Sequence, residues 1–136
     1  MNCTIVYYSA RKTSFCEKAL KKAFHEMGLN LISAVFATMR SSLGEELKKA
    51  FEACDVVFTV GGLEFEDNRS VRDIISQASA GSKPTLCRRL ENPGGDDGYL
   101  LRAGSQLLVM LPDEPLQIEE MTRGVFADYI KTMNKQ

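Results

Sequence analysis

Three short runs of β-branched, aromatic and other apolar residues alternate with stretches whose apolar positions recur every three or four residues, and this alternation limits the fold more than any other feature. The runs are Cys3 to Ser9, Leu29 to Phe36 and Asp55 to Val60. A repeat of this kind requires right-handed crossovers, which lay the strands parallel and put helices on both sheet faces. The expected fold class is therefore α/β. It has three layers, αβα, around a mostly parallel sheet, with a hairpin and a helix at the C-terminal end.

The helical stretches carry their own punctuation. Ser14 with Glu17, and Ser42 with Glu45, have the spacing of capping boxes and predict two helix starts. Cys16, Ala19, Leu20, Ala23, Phe24 and Met27 form one apolar stripe, ended by Gly28. Leu43, Leu47, Phe51 and Cys54 form a second, and Val71, Ile74, Ile75 and Ala78 a third. Gly81 to Pro84 breaks the chain, and Thr85-Leu86-Cys87 reads as a short extended piece. Tyr99 to Leu101 and Gln106 to Leu111 flank a turn and read as a hairpin ended by Pro112. One last helix is expected, with Asp113 or Glu114 as its cap and Pro115 in its first turn. Ile118, Met121, Val125 and Tyr129, with Phe126 and Ile130, would form its buried side, and Lys131 and Lys135 suit its C-terminal end.

Composition excludes several classes. The 136 residues suit one domain, 44% apolar and 26% charged, which argues against disorder. A net charge of −1 offers no broad basic surface for nucleic acid, and Lys18, Lys21 and Lys22 read as a solvated helix face. Cys3, Cys16, Cys54 and Cys87 lack ligand-type pairing, so they are expected to be small buried hydrophobes, reduced as in the cytoplasm. No signal peptide opens the chain, and no stretch reaches the roughly 18 apolar residues of a membrane span, so a cytoplasmic protein without a membrane partner is expected. The lone His25 lies on a helix remote from the loops considered next, which argues against a nucleophilic hydrolase.

In an open parallel sheet, ligands bind beyond the carboxyl ends of the strands. Three loops meet that criterion, after Ser9, Val60 and Leu111. The second reads Gly61-Gly62-Leu63-Glu64-Phe65-Glu66-Asp67-Asn68-Arg69-Ser70. Two glycines at a strand end permit a sharp turn and a close ligand, and the next helix offers N–H groups and a positive dipole end to a phosphate. The alternative is a plain turn with Asp67 as helix cap. The loop at Pro112, Asp113 and Pro115 also reads either as a ligand loop or as a stiff turn with a cap. The acidic, glycine-rich loop from Glu91 to Gly98, with Asn92, Asp96 and Asp97, precedes the hairpin.

Taken together and in order, these loops resemble the molybdopterin-binding domain shared by the MoaB/Mog and CinA families. Asp55 to Leu63 is similar to that family's apolar run ending in Gly-Gly, and Asp67 with Ser70 matches its Asp-Asp-x-Thr if one residue is deleted. Asn92-Pro93-Gly94-Gly95 with Gly98-Tyr99 resembles the Asn-Pro-x-Gly…Gly-Phe stretch of CinA-type proteins, and Leu111 to Pro115 resembles Leu-Pro-Gly-x-Pro. The resemblance covers residues 29–133, and residues 1–28 in layout. The chain departs from the family in its short loop Ser9 to Thr13, in Glu64 where a glycine is usual, and in Asp113 in place of the Leu-Pro-Gly glycine.

The resemblance implies a small phosphate-bearing ligand, molybdopterin or a nucleotide, with a magnesium ion. Carried over by position, Asp67 would act in catalysis and hold the metal. Ser9, Thr13, Gly61, Gly62, Asn68, Ser70, Asn92, Pro112, Asp113 and Pro115 would line the ligand site. It also implies a homo-oligomer, dimer or trimer. Two other readings compete. Glu64 and Asp113 suit a non-catalytic interaction or regulatory protein on the same fold. Ile5 to Ser9 followed by Thr13 resembles the phosphate loop of flavodoxins, electron-transfer modules, except that Lys12 stands where a glycine is usual.

Overall fold

The structure is a computed structural model that describes residues 1–78 and 86–134. Six strands form one sheet: β1 (Asn2–Tyr8), β2 (Asn30–Ala37), β3 (Val56–Val60), β4 (Leu86–Leu90), β5 (Gly98–Ala103) and β6 (Gln106–Leu111). Their order is β2-β1-β3-β6-β5-β4. β1 pairs in parallel with β2 and β3, and β3 with β6, while β5 runs antiparallel to both β6 and β4. The α/β expectation thus holds, with β5 as the one reversed strand. The β2-β1-β3 half agrees with a flavodoxin-like order, but the reversed β5 departs from the all-parallel continuation of that fold.

Among the described residues five helices cover the sheet: α1 (Thr13–Met27), α2 (Arg40–Ala53), α3 (Val71–Ala78), α4 (Pro115–Met121) and α5 (Val125–Asn134). On one face the stripe of α1 packs with Ile118 of α4 and Phe126 and Ile130 of α5 on Ile5, Phe58, Leu100 and Val109. On the other, Leu43 and Leu47 of α2 and Val71, Ile74 and Ile75 of α3 pack on Val6, Val57, Leu108 and Met110. Alternate residues of each central strand feed opposite cores, which is why β1 and β6 are buried along all but their first residues and β3 throughout, and all three are mostly apolar. No helix among the described residues is long and apolar enough to cross a membrane.

Both capping boxes fail. α1 begins two residues early, with Lys12 and not Ser14 at its cap, α2 begins after Met39, and neither cap makes a side-chain hydrogen bond. Ser14 and Ser42 therefore lie inside their helices, where a side chain cannot serve as N-cap acceptor. At α1 the cap is tertiary. The carboxylate of Asp113 accepts the N–H of Arg11 (2.7 Å), and Glu114 takes Lys12 Nζ (2.8 Å). Their negative charge sits at the positive end of a helix with no acid in its first turn. Gly28 does end α1 as expected, with φ 75°.

Three further corrections concern the C-terminal half. The short extended piece expected at Thr85-Leu86-Cys87 is a full strand, Leu86–Leu90, that makes the far edge of the sheet; Gly81 to Thr85 lie outside the described residues. Cys87 on that edge is exposed, whereas Cys3, Cys16 and Cys54 are buried as expected. The expected single last helix is two. Thr122 to Gly124 interrupts it, with Gly124 at φ 64°, and the break rotates the second segment relative to the first. Ile118, Met121, Phe126 and Ile130 are buried, but Val125 is 73% exposed and Tyr129 only half-buried. Lys135 lies outside the described residues.

The break predicts opposite costs at adjacent positions. Phe126→Ala should lower unfolding free energy by about 3–5 kcal/mol, the usual cost of emptying a buried phenylalanine site. Val125→Ala should stay within about 0.5 kcal/mol, as at exposed positions. Urea unfolding of both variants checks this; equal losses would mean one continuous helix.

Candidate functional site

The carboxyl ends of β1, β3 and β6 lie side by side, so the three loops expected at the site do meet. Gly61 donates its N–H to Leu111 O (2.9 Å), joining the loop after β3 to the end of β6. Gly61 and Gly62 both have positive φ, 97° and 81°. They also touch the loop after β1. A Cβ on Gly61 would stand 2.4 Å from Tyr8 O, and one on Gly62 2.4 Å from Tyr8 Cδ2. Both glycines are buried. Their lack of a side chain is thus required by the chain's own packing.

The loop after β1 turns through two left-handed non-glycine residues, Ser9 (φ 47°) and Lys12 (φ 56°). Ser9 donates its N–H to Ala37 O (3.0 Å), and Thr13 is the half-buried first residue of α1. The Arg11–Asp113 and Lys12–Glu114 contacts latch this loop to the one after β6. Pro112 is buried behind the latch, and Pro115 occupies the first turn of α4. The Lys12 ammonium holds the Glu114 carboxyl below the ordinary glutamate value and is itself raised above the ordinary lysine value by Glu114. Burial, then the charges of Asp113 and Glu114, pushes the Cys16 thiol up to about 11, so it is no nucleophile at neutral pH.

Asp67 is exposed. Its carboxylate accepts the N–H of Arg69 (2.9 Å) and the Arg69 guanidinium (2.9 Å to Nη2), which lowers its pKa. Arg69 also stacks 4.7 Å above the Phe65 ring, and Phe65 meets Tyr8 edge-on. Asn68 is exposed and contributes its carbonyl to Arg40. Ser70 is buried and caps α3. Its Oγ accepts the N–H of Arg72 (3.3 Å) and its carbonyl accepts that of Ile74 (3.1 Å), so Ser70, not Asp67, is the cap. Among the described residues no three His, Cys, Asp or Glu side chains converge as metal ligands, and Asp67 is committed to Arg69. In this arrangement the residues do not fit a preformed magnesium site.

Asn92 is buried and structural. Its N–H binds Asp97 (2.8 Å), and its amide donates to Asp96 O (2.9 Å) and Gln117 Oε1 (2.8 Å). Gln117 returns a bond to Gly94 O (3.0 Å), which fastens the loop of residues 91–98 to α4. The outer side of that loop faces α3. There Leu63, Arg72, Gly95, Asp96, Asp97 and Tyr99 enclose a cleft of about 290 Å³. Arg72 lies over the Tyr99 ring (5.8 Å) and donates to its hydroxyl (3.4 Å), and it has no carboxylate partner among the described residues.

Arg72 lies off the apolar stripe of α3 and carries no motif, and Tyr99 enters the sequence reading only within the Gly98-Tyr99 match and as a strand residue, not as a site residue. The structure joins Gly61, Gly62, Ser9, Asp113 and Pro112 in one packed junction. It sets Asp67 and Asn68 on an exposed turn beside it, and leaves Asn92 fully engaged elsewhere.

The fold has clear counterparts. No protein-family model matches the chain, and no curated protein does. Among solved structures, CinA from Thermoplasma acidophilum, a protein of unknown function, superposes with a TM-score of 0.67 at 17% identity, covering 98% of this chain and 96% of that one. A molybdopterin biosynthesis protein from Mycobacterium abscessus gives 0.69 at 17%, covering 98% and 94%. The molybdopterin biosynthesis Mog protein from Mycobacterium ulcerans gives 0.69 at 20%, covering 98% and 97%. The chain therefore has the fold of the MoaB/Mog and CinA-type proteins, as its loops suggested, at a sequence identity that speaks for the fold.

Two outcomes follow. Gly62→Ala should destabilise the protein by about 1–3 kcal/mol, since the new methyl overlaps the Tyr8 ring at a positive φ; thermal unfolding reads it. The Lys12–Glu114 latch should be present at neutral pH and lost as pH falls through the depressed Glu114 pKa, because a protonated carboxyl no longer attracts the ammonium. In a carbon-13 NMR titration, Glu114 should titrate below the ordinary glutamate value and return to it in Lys12→Met.

Proposed function

We propose that this chain binds a small phosphate-bearing ligand, a pterin of the molybdopterin type or a nucleotide, at the carboxyl edge of its sheet. The observation that carries the reading is Arg72, a guanidinium without a carboxylate partner among the described residues, held against an aromatic ring in a cleft beside the Gly-Gly loop. Arg72 would take the phosphate, as the planar fork of arginine suits phosphate oxygens. Tyr99 would offer its ring to a heterocycle. The neighbouring proteins of the same fold that are described as molybdopterin biosynthesis proteins support the choice of ligand class.

Asp67 is the proposed catalytic and metal-holding side chain. It would serve in either role only once released by Arg69. Self-association as a dimer or trimer belongs to the same proposal, and nucleic acid and membrane do not.

One observation favours a second reading, a non-catalytic interaction protein. Asp113 already occupies the Arg11 N–H, and Glu114 occupies Lys12, so the chain's own carboxylates fill part of the edge where an anion would sit.

Thermal unfolding against molybdopterin, AMP, ADP-ribose and FMN, each with and without magnesium, separates these. A ligand at about 100 times its Kd adds roughly 2.7 kcal/mol, several degrees for a domain of this size. The expected outcome is a shift with molybdopterin or a nucleotide that Arg72→Gln removes. A shift with FMN alone would point to electron transfer, and no shift with any of them to the interaction protein.

A further inference from the structure

The break between α4 and α5 has a counterpart in the sheet below it. On the sheet face opposite the Arg72 cleft, a second cavity of about 300 Å³ lies between β4, β5 and the two helices. Its apolar wall comes from Leu90, Leu100, Met121, Phe126 and Val125. Leu100 and Phe126 belong to the core, yet Val125, at the mouth, is 73% exposed. A continuous helix would have turned Val125 inward, so the interruption at Thr122 to Gly124 both opens the cavity and leaves an apolar side chain uncovered at its rim.

Charge at the rim is unbalanced. Arg88, Arg89 and Arg123 line the cavity with Glu91 and Glu120. Glu120 pairs with Arg123 (3.6 Å), and Arg89 pairs with Glu91 (3.9 Å) and with Asp97 (3.6 Å). Arg88 has no carboxylate partner among the described residues. Period-two alternation along β4 puts it on the same side as Leu86 and Leu90, which pack against the core under α5. Tyr129 also lines the cavity, and its hydroxyl accepts a bond from Arg102 (3.1 Å), which orients it and leaves its own proton to donate.

We propose that this cavity is a second binding site, for a small monocarboxylate with an aromatic or branched apolar body. The carboxylate meets Arg88 and the Tyr129 hydroxyl. The apolar body covers Val125 and lies against Leu100 and Met121. The volume stands at the lower end of the ligand-pocket range of about 300–1,000 Å³, which restricts the occupant to a small single or fused ring. The single unpaired arginine selects one negative charge. Arg88 is the specificity-determining residue, since its bond to a carboxylate is charge-assisted and a neutral analogue forfeits it. The site is independent of the phosphate cleft, because the sheet separates the two.

The test is an amide NMR titration of the full chain with benzoate and indole-3-carboxylate, and with benzyl alcohol and indole as uncharged partners. Saturable shifts are expected at residues 86–90 and 120–129, with the acids binding on the order of tenfold or more tighter than the neutral compounds. Arg88→Gln should remove that preference, and Val125→Lys should block binding. Both positions are exposed, so both variants should unfold as the wild type does. Equal binding of acid and neutral compound would overturn the proposal. So would unchanged affinity in Arg88→Gln, shifts confined to Leu63, Arg72 and Tyr99, or no saturation at millimolar concentration. Shifts at residues 125–129 that depend on protein concentration without ligand would also overturn it, by making a second copy of the chain the occupant.

Discussion

The backbone of Gly61 and Gly62 passes directly beneath Tyr8, and the whole carboxyl edge depends on that approach. The carbonyl and ring of Tyr8 occupy the space where two Cβ atoms would stand. Because the contact is close, the loop after β1 is pressed toward β3, and Gly61 can reach Leu111 on β6. Three strand ends are thereby locked into one junction. The cleft proposed for the phosphate-bearing ligand stands beside this junction rather than in it. The glycines that look from the sequence like a ligand cradle are first of all a packing requirement.

Electrostatics follows from the same geometry. Drawing the loop after β1 toward β6 brings Arg11 and Lys12 against Asp113 and Glu114. The two carboxylates then do what the local capping boxes do not: they place negative charge at the start of α1. These pairs are exposed, and pairs of that kind contribute little to stability. Their larger effect is on the local distribution of charge. They cancel positive charge near the junction, while Arg72, one turn away from it on α3, stays uncancelled beside Tyr99.

Periodicity was the readable part of the sequence. The stripes Cys16 to Met27 and Val71 to Ile75, the hairpin of β5 and β6, and the C-terminal Gly28 of α1 all lie where the pattern put them, because each depends on residues within a few positions of one another. Errors arose where a distant segment overrides a local signal. Ser14 and Ser42 have capping spacing, but Asp113 from another loop and the preceding left-handed Lys12 decide where α1 starts. Val125 continues the stripe of Ile118 and Met121 on paper, and Gly124 rotates it out. β4 carries a weak signal in the sequence because Arg88 and Arg89, consecutive residues on opposite faces, suppress an apolar pattern at a sheet edge. In the candidate site, Gly61, Gly62 and Ser70 were legible from motif and order. Arg72 and Tyr99 were not, since their pairing joins a helix to a strand 27 residues away.

The sequence by itself determined the layer architecture, the faces of the helices that look inward and the three loops that converge. All of these follow from local hydrophobic period and from the handedness of crossovers. Only the tertiary structure decided which charges pair within the chain and which, among the described residues, have no carboxylate partner. A salt bridge or a ring contact between residues 27 or 102 positions apart leaves no mark on local pattern. It exists only once the sheet has brought the two segments together.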